Sequence, residues 1–155
     1  MRLNFLILFF ILSIIPLRSQ QVEISAVVYS VLSGYTQYNQ IKDRQYFKIG
    51  DPVYKSYSKK WHALQTLETI ALINVGIQIE VTNKSYLPGV ITDVFLTGAI
   101  RWIVRDGTYQ LLLGNYFFYQ SQNTTAQFES FGTPFVKLSF ITAILLFKYF
   151  FLPLL

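Results

Sequence analysis

The sequence predicts an all-β fold, an antiparallel β-sandwich, and three observations carry that expectation. Ile77, Ile79 and Val81 alternate with Gln78, Glu80 and Thr82, the pattern of a strand with one buried and one wet face. Asn83-Lys84-Ser85 and Leu87-Pro88-Gly89 follow as turn-forming compositions. Asp106-Gly107 then separates two strand-like runs, 100–105 and 108–113. Asp-Gly suits a tight hairpin because both residues tolerate positive φ. With those two as the loop, Trp102 faces Leu111 and Val104 faces Tyr109, so Ile100, Trp102, Val104, Tyr109, Leu111 and Leu113 share one apolar face. Such a face needs a second layer over it, hence a sandwich.

The elements follow in order. Met1-Arg2, an apolar run over residues 3–15, Pro16 and then Leu17-Arg18-Ser19 form a secretory signal-peptide pattern over residues 1–19. Residues 20–52 hold an N-terminal strand at 22–32 and a polar linker that ends in the turn Gly50-Asp51-Pro52. The sandwich domain occupies residues 53–140. Within it, 66–75 reads as a strand, although Leu64, Leu67 and Ala71 also fit helical spacing. Residues 116–119 and 135–140 supply the last strands, with a polar loop at 121–125 between them. Residues 141–155 form a hydrophobic tail interrupted by Lys148 and Pro153. A lysine inside such a segment is costly in a bilayer, yet so apolar a tail has few soluble homes. The tail reads as a poor transmembrane anchor, as a lipid-anchor signal or as an apolar tail packed on the domain, and membrane association through it is the favoured expectation.

Composition narrows function. The 155 residues suit one domain. The formal charge is +5, but residues 20–137 hold ten Lys/Arg against eight Asp/Glu, a net +2. No basic stripe is evident, so no nucleic-acid partner is expected. The absence of cysteine removes thiol chemistry, thiolate metal sites and disulfides. His62 is the one histidine and cannot by itself make a typical zinc site. The carboxylates are scattered, and no serine elbow, phosphate loop or dinucleotide fingerprint occurs. No enzyme activity, cofactor or metal is expected.

Asn83-Lys84-Ser85 and Asn123-Thr124-Thr125 match the glycosylation acceptor pattern, which makes Asn83 and Asn123 candidate glycan sites behind a signal peptide. Trp61 sits in the polar run Ser58-Lys59-Lys60-Trp61-His62 and is a candidate exposed stacking platform. Trp102 and Tyr109 are further candidates, with a core position open to Trp102.

The order of Trp61, the run Ile77-x-Ile79-x-Val81-x-Asn83-Lys84-Ser85, Ile100-Arg101-Trp102 and Asp106-Gly107-x-Tyr109 resembles the family 49 carbohydrate-binding module appended to plant cellulases and found in slime-mould secreted proteins. The resemblance covers about residues 53–140. It implies a non-catalytic β-sandwich that binds cellulose or a related β-glycan, secreted or held at the extracellular face of the plasma membrane, with Trp61, Trp102 and Tyr109 as binding residues. The alternative is a membrane-attached adhesion or signalling ectodomain with a protein partner.

Overall fold

The computed structural model describes residues 20–119 and 134–154. Among them there is no β-strand; the chain is helical. This overturns the β-sandwich and the strands expected within residues 22–140. The signal-peptide pattern at 1–19 and the Asn123 acceptor lie outside the described residues.

Helix α1 spans Gln21–Lys48, α2 spans Tyr54–Asn83 and α3 spans Leu87–Leu112. Helix α4, Pro134–Leu146, continues through a π-helical turn at Phe147–Phe151 and a 3₁₀ turn at Leu152–Leu154. The turn signals of the sequence are real, but they join helices. Gly50 adopts φ +71° after α1, and the Asp51 carboxylate accepts the Val53 N–H at 2.9 Å. Lys84 and Ser85 take left-handed φ values of 47° and 64°, and the Lys84 N–H closes α2 on the Glu80 carbonyl at 2.8 Å. Pro88 stands in the first turn of α3, where its missing N–H has no helical partner to lose.

Contacts along the helices fix the topology. Asn74 donates to Ser25 and Trp61 to Asp43, so α2 runs antiparallel to α1. Ala26 packs with Leu96 and Ile100, and Arg101 lies over the Tyr29 ring, so α1 and α3 run parallel. Lys137 meets Asp106 while Lys148 meets Asp93, so α4 runs antiparallel to α3. The result is an up-down-up-down arrangement of helices.

Small residues let α1 approach its neighbours. Ala26, Ser30 and Gly34 follow at four-residue spacing and are all buried, the pattern that brings helix backbones close in membranes. A Cβ at Gly34 would stand 2.8 Å from the Arg105 carbonyl oxygen and 2.8 Å from Thr108 Cβ. Gly34→Val is therefore expected to destabilise the bundle by about 1–3 kcal/mol through overpacking. Thermal unfolding of the purified variant checks this; an unchanged midpoint would count against the close contact.

The exterior explains why the sequence misled. On α2, Ala71, Val75 and Ile79 are buried at four-residue spacing, as an inward stripe should be. Yet Leu67, Ile70, Ile73, Ile77 and Val81 are exposed, Ile77 at 53%. A helix apolar on both faces shows no helical period, and the β-branched run 77–81 reads as a strand. Asp106-Gly107, expected as a hairpin loop, lies inside α3, where Asp106 pairs with Arg105 at 2.9 Å and with Lys137 at 2.8 Å.

Candidate functional site

The most unusual chemistry in the bundle is a buried charge network where α1, α2, α3 and the end of α4 meet. Lys148 Nζ lies 2.7 Å from Glu23 Oε1 on α1 and 2.7 Å from Asp93 Oδ1 on α3. Asp93 is fully buried. Its second oxygen accepts the Asn83 side-chain amide at 2.7 Å, and that amide also reaches the Ile79 carbonyl at 2.9 Å. Tyr149 donates its hydroxyl to Glu23 Oε1 at 2.7 Å. Among the described residues, the buried Glu23 Oε2 has no hydrogen-bond partner.

The local backbone places these groups. Glu23 stands in the first turn of α1, where a carboxylate also complements the helix dipole. Asp93 lies beyond the first turn of α3, on its inward side. Lys148 and Tyr149 fall in the π-helical turn. That wider winding holds consecutive residues closer to one face, so both reach the same carboxylate. Single π turns are frequent at functional sites. The network holds two carboxylates against one ammonium.

A second, more open cluster lies toward the other end of α4. Lys137 lies 4.9 Å from the centre of the Trp102 ring and bonds Asp106, which also holds Arg105. Together, Lys137 and Lys148 tie the apolar α4 to α3 at two levels.

The residues singled out for glycan binding do not form a row. Trp61 is half-buried on α2; its indole N–H donates to Asp43 at 3.1 Å and its ring stacks on His62. Trp102 lies on α3 beneath Lys137, and Tyr109 is half-buried farther along α3. The flat platform that a sheet would present is not made. Asn83, a candidate glycan acceptor, uses its amide nitrogen inside the charge network. Asn83→Gln is expected to leave gel mobility unchanged in a glycosylating host; a faster-running band would show that the site carries a glycan.

The network was only half legible in the sequence. Lys148 stood out as a charge in an apolar segment. Glu23 and Asp93 gave no local signal, since they lie 70 positions apart in sequence and meet only through the parallel packing of α1 and α3. Among the described residues, no group of three or more His, Cys, Asp or Glu is placed to hold a metal ion.

Two helical stretches, Leu87–Leu112 of 26 residues and Phe135–Leu154 of 20 residues, are long and apolar enough to cross a membrane. Asp93 belongs to the first and Lys148 to the second. Comparison with family models, with curated proteins and with solved structures finds no match.

Proposed function

We propose that this chain is an integral membrane protein of binding rather than catalytic type, whose helical bundle anchors a basic two-helix hairpin at the membrane surface. One observation carries the reading. Lys148 lies in a 20-residue apolar helical stretch that has no buried residue, yet its ammonium turns inward to two carboxylates. In water an exposed lysine would gain little from such burial. In lipid, ionisable residues face the bundle interior and pair with one another, as here.

The exterior supports the same reading. Outward-facing Leu67, Ile70, Ile73, Ile77 and Val81 on α2, Ile91, Val94 and Phe95 on α3, and Leu138, Phe140, Phe147 and Phe150 on α4 are exposed. That apolar girdle ends sharply. Between Lys55 and Thr66 the exposed residues of α2 are almost all polar, among them Lys59, Lys60, His62 and Gln65. The aromatic residues Tyr35, Tyr38 and Tyr109 gather near this boundary, as interfacial belts do. Tyr35 and Tyr38 line an open cavity together with Thr108, Leu111 and Leu112.

Alkaline carbonate extraction of membranes from cells making the full chain tests the proposal. The protein is expected to stay in the membrane pellet. Release into the supernatant would overturn the reading.

A further inference from the structure

Beyond the membrane boundary, α1 and α2 continue as a hairpin whose tip is both basic and apolar. Residues 42–60 hold six Lys/Arg against two Asp, a net +4 of the chain's +5. The two helices bring these charges together although they are spread along the sequence. Arg44, Lys48, Lys55, Lys59 and Lys60 are all exposed. At the very tip Phe47 is 64% exposed, Ile49 74% and Val53 46%. The stem is rigid: Tyr46 stacks on Tyr57 with ring centroids 5.4 Å apart, Phe47 meets Tyr54 edge-on, and Trp61 bonds Asp43.

We infer that this tip docks onto an anionic lipid surface facing the membrane that holds the bundle, with Phe47, Ile49 and Val53 entering the headgroup layer and the surrounding Lys and Arg neutralising lipid phosphates. Three observations support this occupant. The charge is complementary to anionic headgroups. The exposed apolar side chains at the tip include two aliphatic ones, which partition into lipid but do not stack on nucleic-acid bases, while Tyr46 and Tyr57 are engaged with each other. The reach is suitable: from Leu67, where the apolar girdle of α2 ends, to the tip is about 14 residues, or roughly 20 Å of helix. That exceeds the depth of the protein's own headgroup layer, about 6–7 Å per leaflet.

The inference rests on the membrane reading, so the test begins by placing the full chain in nanodiscs of phosphatidylcholine alone. The discs are then mixed with vesicles of phosphatidylcholine or of phosphatidylglycerol, and floated. Phosphatidylglycerol vesicles are expected to carry discs upward and phosphatidylcholine vesicles are not. Capture is expected to fall about fivefold for each basic residue removed among Lys48, Lys55 and Lys59, and to fall in F47S/I49S, which keeps every charge. Failure of the chain to enter discs overturns both readings. Entry without capture, equal capture by both vesicles, or capture unaltered in F47S/I49S overturns the docking surface alone; the last result would show charge attraction without insertion of the apolar tip.

Discussion

Replacing Lys148 by methionine is expected to cost about 3–5 kcal/mol of stability, because it leaves the Glu23 and Asp93 carboxylates buried without their ammonium. The two side chains are 17% and 1% exposed, so water cannot take over its role. Helix α4 should loosen first. Lys148 ties it to α1 and α3 here, while Ile141, Ile144 and Leu145 pack only partly against the Ala26–Leu96–Ile100 cluster. Unfolding of purified variants in detergent, followed by circular dichroism, measures the effect. The triple variant Glu23→Gln/Asp93→Asn/Lys148→Met should recover most of the loss, since removing a whole buried ion network is often close to neutral. A single variant as stable as the parent would mean that the ammonium does not sit between the two carboxylates.

The second large effect is expected at an exposed position. Ile77 is 53% exposed on the outer face of α2. In a water-soluble bundle, Ile77→Arg at such a site would change stability by no more than about 0.5 kcal/mol. Facing lipid, an arginine near the middle of a helix costs about 2.5–3.5 kcal/mol of insertion free energy. The variant should therefore reach the membrane poorly, measured as the membrane-inserted fraction in cells. Lys55→Glu, on the hairpin beyond the apolar girdle, should insert as the parent does. Equal insertion of both variants would place Ile77 in water.

These two positions also show what the sequence could and could not convey. Membrane association was expected from the apolar run 141–155, and Lys148 stood in it as a cost to that expectation. Its partners were not readable, because nothing near Glu23 or Asp93 marks them as neighbours. Ile77, Ile79 and Val81 were misread for a physical reason. Alternation signals a strand when the apolar residues share one buried face; here Ile79 turns inward and Ile77 and Val81 turn outward, so the three lie on opposite sides of a helix. Asp106-Gly107 was misread for another. The glycine lies against the Phe117 ring, which a Cβ there would displace, and the aspartate pairs with Arg105 and Lys137. Gly50-Asp51-Pro52 was correctly read as a turn because its chemistry is local. The charge of residues 42–60 was missed, because averaging residues 20–137 to a net +2 hides it and because its gathering at one tip required the two helices to fold back on each other.

The absence of cysteine makes the protein well suited to a direct test of its surroundings. Single cysteines at Ile73, on the apolar girdle, and at Lys55, on the hairpin, can be probed with a water-soluble maleimide in nanodiscs, which leave both membrane faces open to it. Membrane burial of the girdle predicts rapid labelling of Lys55→Cys and no labelling of Ile73→Cys until detergent or denaturant is added. Labelling of Ile73→Cys at the rate of Lys55→Cys would contradict it, and would show the bundle standing in water.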